Sequence, residues 1–206
     1  MPASVPSGSA RRSELLERAY RYVLEHGVAD VSLRPLAAAV ESSPRVLLYL
    51  FGSKAELIQA LLTRARADEL ELLARVRSES HGGNGNLASI AAELWRWLAA
   101  EEHRALLTLW VEGYARSLID PDGVWSDFAR ATVSDWLEVL ADAQPRDTRD
   151  SAAGVTERTL VLAVLRGALL DLLATGAVER VTDAVATQLI LLRTIERAPG
   201  TQAQSG

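Results

Sequence analysis

Ser43-Pro44-Arg45-Val46-Leu47-Leu48-Tyr49-Leu50-Phe51-Gly52-Ser53-Lys54-Ala55-Glu56 is the stretch on which the fold turns. Ser43 is a good N-cap, and Pro44 falls at the first helical position, where its missing N–H costs nothing. The helix runs only to Leu50 or Phe51, because Gly52 breaks it. Ser53 to Glu56 is then a capping box that opens a longer helix, to about Glu79. Upstream, Ser32 caps a short helix to about Val40, Pro35 sits in the tolerant first turn, and Val31 staples against Leu36. Before that, Leu15, Leu16, Ala19, Tyr20, Val23 and Leu24 recur at helical spacing from Ser13, and Gly27 stops them. Three short helices with tight turns, the second and third joined by only a few residues, have the layout of a helix-turn-helix. The second helix of that motif enters a DNA major groove.

Composition points the same way. Ala and Leu supply 33 residues each of 206, against 5 Ile and 17 Val, which favours helices over any large sheet. The fold class expected is all-α: an N-terminal three-helix helix-turn-helix bundle followed by a helical ligand-binding and dimerisation domain. The absence of Cys excludes disulfide scaffolds, Cys-ligated metals and thiol nucleophiles. No stretch approaches the roughly 18 uninterrupted apolar residues of a membrane span. The N-terminal residues lack a signal-peptide apolar run, so the expected location is the cytoplasm, with no membrane partner. The net charge of −5 is uneven: residues 1–66 carry +3 and residues 67–206 carry −8. A basic third on an acidic body suggests one module for a polyanion and another for something else.

Five segments are expected: a disordered tail (1–10), a DNA-binding module (11–52), a connecting helix (53–80), an effector-binding and dimerisation domain (81–198) and a second tail (199–206). The Gly-rich run His81 to Asn86 reads as a linker, since it lacks the spacing of a phosphate-binding loop. Helices are expected near 87–100, 104–118, 124–143, 156–174 and 182–197, with a turn at Asp120-Pro121-Asp122-Gly123 and a polar loop over 144–151.

The N-terminal segment resembles the tetracycline-repressor (TetR) family of regulators. The matching residues are Leu15 to Ala19, His26 to Ala37, and Leu47-Leu48-Tyr49-Leu50-Phe51-Gly52-Ser53-Lys54-Ala55-Glu56-Leu57, which together span about a fifth of the chain. The resemblance implies a DNA-binding bundle, a connecting helix, and a helical ligand domain that dimerises. Two positions depart from the family: Arg45 stands where a small residue is usual, and Leu48 where a Tyr often holds the DNA backbone. Leu48 cannot bond a phosphate, so that contact is absent or passes to Tyr49.

Ser32, Ser43 and Ser53 each open a helix whose first N–H groups are available to phosphate. Lys54, the only lysine, and Arg34 are phosphate candidates. In the third helix, Val46, Leu47, Leu50 and Phe51 are expected to face inward, leaving Pro44, Arg45, Leu48 and Tyr49 for a partner. Arg45 suits guanine O6 and N7, with phosphate the competing target. Tyr49 suits a phosphate or a thymine methyl, or else a core edge. Arg11 and Arg12 are either an arm or a solvated tail.

All five tryptophans lie between residues 95 and 136. Trp95, Trp110, Tyr114, Phe128 and Trp136 are the candidates to line an apolar effector pocket, or simply to fill core. Glu112 and Arg116 read as a solvated pair. The last two helices are apolar nearly all round and need cover on several sides. A homodimer interface through Leu165, Leu169, Leu172, Leu189 and Leu192 supplies it, the alternative being an ordinary intrachain core. No catalytic residues are assigned: His26, His81 and His103 are scattered, and Glu101-Glu102-His103 cannot chelate from adjacent positions. No metal or cofactor is expected. The partners expected are a double-stranded DNA operator, a small hydrophobic or aromatic effector, and a second copy of the chain. A helical carrier with no role on DNA is the rival reading.

Overall fold

A computed structural model describes residues 8–27, 32–80, 86–123 and 125–197. Val31, most of the 1–10 tail, residues 81–85 of the Gly-rich run and the 199–206 tail lie outside them. The helices are α1 (Gly8–His26), α2 (Leu33–Ala39), α3 (Pro44–Phe51), α4 (Lys54–Ser80), α5 (Leu87–Leu98), α6 (Arg104–Ile119), α7 (Phe128–Asp142), α8 (Arg146–Arg149), α9 (Ala152–Thr175) and α10 (Val178–Arg197), with a 3-10 turn at Glu101–His103. No strand occurs among the described residues, so the fold is all-α as composition required.

The termini of these helices follow local chemistry. Ser43 Oγ accepts from Val46 N at 3.3 Å, and Ser53 Oγ accepts from Glu56 N at 3.1 Å. Ser32 occupies the N-cap position of α2 in extended geometry, yet its side chain makes no capping bond, contrary to expectation. Helix α9 starts four residues before its expected onset, because Ser151 Oγ accepts from Gly154 N at 3.0 Å. It ends at Gly176, left-handed at φ 67°, whose N–H reaches Leu172 O at 2.8 Å. The turn from α2 to α3 requires Glu41 at φ 55°, a conformation that disfavours L-residues. Its carboxylate is held by Arg18 at 2.9 Å.

The chain forms two compact units, Met1–Leu72 with Ala105–Val133, and Leu73–Arg104 with Ser134–Gly206. In the first, Leu15, Ala19 and Val23 of α1 are buried, as are Leu36 and Ala37 of α2, Leu47 and Phe51 of α3, and Leu57 and Leu61 of α4. Burial of one such leucine contributes about 1.5–3 kcal/mol, enough to hold short helices that would not persist alone. In the second unit α5, α9 and α10 pack against one another. Here the expected interface residues are relocated. Leu165, Leu169, Leu172, Leu189 and Leu192 are each at most 8% exposed and form this unit's own core. The apolar residues that point outward from α9 and α10 are others: Leu160, Leu170, Ile190 and Leu191 are all more than half exposed. No single helix among the described residues is long and apolar enough to cross a membrane.

Candidate functional site

Helix α3 has eight residues and turns only one narrow face inward: Leu47 and Phe51, one turn apart, are buried. Val46 was expected inside with them but is 39% exposed, because a step of one residue rotates it about 100° away from Leu47. Leu50 is half-buried. The outer face carries Arg45, Val46, Leu48 and Tyr49, with Pro44 half-buried at its start. Tyr49 is 85% exposed and so is no core-edge residue.

Around this face the charges are unequal in their commitments. Arg11 pairs with Glu14 at 2.9 Å. Arg12 donates to Leu50 O at 3.2 Å and lies 4.8 Å over the Phe51 ring. Both were candidates for a free arm. Because α1 begins at Gly8, they are helical residues bound to neighbours instead. By contrast Arg34, Arg45 and Lys54 are exposed, and none has a carboxylate partner among the described residues. Each lies in the first turn of its helix, where the helix dipole disfavours a cation. An anion arriving at any of these helix starts relieves that repulsion and is attracted by the charge there. Arg34, Arg45, Tyr49 and Lys54 are thus the expected residues that stand ready for a partner.

Behind the face, a polar clamp joins α1 to α4. Tyr20 Oη donates to Asp68 at 2.8 Å, and Arg64 Nε donates to Glu17 at 2.7 Å. Arg64 also bonds Asp68 and lies 4.8 Å over the Tyr20 ring. Burial and the Asp68 carboxylate push the Tyr20 hydroxyl well above its ordinary pKa, so it stays a donor. Burial works against the charge of Arg64, but its bonds to Asp68 and Glu17 outweigh that and keep it protonated. Further along α4, Glu69 is fully buried, 3.5 Å from Arg66, which also approaches Thr132 at 3.4 Å. Sequence reading missed both groups; the local signals were the i,i+4 spacing of Arg64 and Asp68 and the i,i+3 spacing of Arg66 and Glu69.

The expected effector residues are divided between the two units. In the first unit, Trp110 and Phe128 are buried and Tyr114 is half-buried. Phe128 meets Trp125 edge-on, with ring centroids 6.2 Å apart, and both rings pack on Gly113. In the second unit, Trp136 is buried, and Trp95 is held by a bond from Nε1 to Thr182 Oγ1 at 3.1 Å. Trp95 lines a groove of about 530 Å³ between α5 and α10. Among the described residues, no three His, Asp or Glu side chains come together to hold a metal ion.

No family model matches the chain, and no curated protein does. Solved structures do. A putative TetR-family transcriptional regulator from Rhodococcus sp. is 18% identical with a TM-score of 0.68, over 88% of this chain and 97% of that one. The multidrug-binding protein EbrR, solved with proflavin, is 26% identical with a TM-score of 0.58, over 87% and 99%. A TetR-family member from Streptomyces coelicolor A3 is 26% identical with a TM-score of 0.59, over 87% and 97%. The architecture shared along nearly the full length of each is a helix-turn-helix followed by helices only. This chain shares the fold of these TetR-family transcriptional regulators.

Proposed function

We propose that the chain acts as a homodimer that binds a palindromic operator, represses transcription, and leaves DNA when a small apolar or aromatic molecule enters its C-terminal helices. Residues 11–52 read DNA, 53–80 connect, and 81–198 dimerise and take up the effector. The observation that carries this reading is the set of exposed, uncommitted groups around α3: Arg34, Arg45, Lys54 and Tyr49. Arg34 and Lys54 take phosphates, as do the open helix starts at Ser32 and Ser43. Arg45 queries a guanine edge from beside Pro44, and Tyr49 replaces the backbone contact that Leu48 cannot make. The binding of proflavin by EbrR supports an aromatic effector. The energetic requirement is that the effector bind the non-DNA spacing of the two subunits more tightly than the DNA-bound spacing.

The dimer is assigned to the outward stripe Leu160, Ala163, Gly167, Leu170 and Ala174 of α9, together with Leu191 of α10. All six are exposed, and the α9 members alternate in steps of three and four, as in a helix–helix seam. An added Cβ at Gly167 meets no atom within 4 Å, so that point is open for close approach of a second helix. A two-fold axis there presents two α3 helices to paired half-sites.

Titration of duplex DNA at several salt concentrations tests the reading. Lys54→Ala is expected to weaken binding to every sequence and to lower the salt slope by about 1. Arg45→Ala is expected to cost about 1–3 kcal/mol on the preferred operator and much less on random DNA. Equal losses on both would make Arg45 a phosphate clamp. Salt-independent behaviour, with no duplex binding at all, would favour a carrier for a hydrophobic molecule.

A further inference from the structure

The geometry points to a binding site for a small amphiphilic carboxylate in the groove between α5 and α10. Its walls are apolar: Ala92, Ala99, Val185, Leu189 and Ile190 line it beside the Trp95 indole. The bond from Trp95 Nε1 to Thr182 Oγ1 ties the two helices across the groove and satisfies the one polar atom of that ring. A volume of about 530 Å³ falls in the range of small-molecule pockets.

Two arginines, Arg96 and Arg193, are among the residues that line the same groove. Both are exposed, and neither has a carboxylate partner among the described residues. Three arginines of the unit are paired, Arg104 with Glu101 at 2.8 Å, Arg149 with Asp142 at 2.9 Å and Arg180 with Asp171 at 2.6 Å, and none of the three lines the groove. The chain as a whole is acidic, at −5, yet among the described residues the only charged ones lining this apolar groove are these two arginines. Such a surface rejects a cation and gives a neutral apolar molecule nothing for its polar end. A carboxylate on a hydrocarbon body satisfies both parts: its chain covers the alanine and leucine wall, and its oxygens accept from the guanidiniums.

The site is separate from the reading of DNA, and its test contains none, so its failure leaves operator binding untouched. The full-length protein is titrated calorimetrically with decanoate, decanol and decyltrimethylammonium. Saturable binding of decanoate is expected, tighter than decanol by about tenfold or more, the difference that charge-assisted hydrogen bonds supply. The doubly substituted Arg96→Gln, Arg193→Gln protein, whose changes lie at exposed positions, is expected to bind decanoate no better than decanol. Ala186→Trp, which fills the groove from its α10 side, is expected to abolish binding of both, with thermal unfolding followed to show that the variants fold. The assignment is overturned if decanoate shows no saturable binding, if decanol or the ammonium compound binds as tightly, or if decanoate affinity survives either set of substitutions.

Discussion

Leu170→Glu is expected to leave the subunit folded and to separate the dimer. Leu170 is 53% exposed, so in a lone subunit the substitution exchanges one solvated side chain for another. In the proposed dimer the two-fold axis brings two such carboxylates to one seam, where each loses water without gaining a partner. The penalty for burying an unpaired charge is several kcal/mol per ion, more than a side-chain contact returns. Light scattering should give the monomer mass. Operator affinity should fall by about 10²–10⁴, because the second half-site no longer acts at high effective concentration. A variant that still elutes as a dimer and binds operator normally would move the interface off this stripe. Leu165→Glu, one turn and a little more away on the same helix, makes the contrast. Leu165 is 1% exposed, so that change should unfold the second unit instead of merely splitting the assembly.

Gly113→Val should be the most damaging substitution in the aromatic cluster of the first unit. A Cβ built at Gly113 comes within 2.7 Å of Trp125 Cζ3 and 3.1 Å of Phe128 Cε1. Both rings are buried and meet edge-on, so neither can swing aside into solvent. Replacing a helical glycine by alanine ordinarily gains about 1 kcal/mol of helix propensity, whereas overpacking a filled core costs about 1–3 kcal/mol. For alanine the two nearly offset. Valine adds two more methyl groups and loses most of the propensity gain, so packing wins and a loss of about 3 kcal/mol is expected. Urea unfolding measures it, and the double variant Gly113→Val, Trp125→Leu should recover part of the loss. Unchanged stability in the single variant would mean that these rings have room to move.

The helix-turn-helix was legible in the sequence because it is specified locally. Ser43 and Ser53 each bond the N–H three residues on, Pro44 sits where its lost donor costs nothing, and Gly52 adopts φ 88°, open to it without a Cβ. The exposed residues Arg45, Tyr49 and Lys54 followed from the same short helices, since little in a module of this size can bury them. The limits of pattern reading appear where one helix turn offers two similar choices. Val46 and Leu47 are both apolar neighbours, yet only Leu47 meets the core. Arg12 carries the charge of a free arm, but an early helix start turns it onto Leu50 and Phe51.

Residue chemistry alone therefore settled that this chain is helical, where α3 begins and ends, and that Arg45 and Tyr49 face outward from it. Those outcomes depend on hydrogen bonds and spacings within a few residues. The facing of α9 is different in kind. That helix is apolar on every side, so Leu165 and Leu170 carry the same information in sequence, and only packing against α5 and α10 buries one and leaves the other to solvent. The same holds for the Tyr20–Asp68 bond, the Trp125–Phe128 contact on Gly113 and the presence of Arg96 and Arg193 along one groove. Each depends on which faces of separate helices are brought together, a choice made by the burial of the whole apolar surface and by no single segment of it.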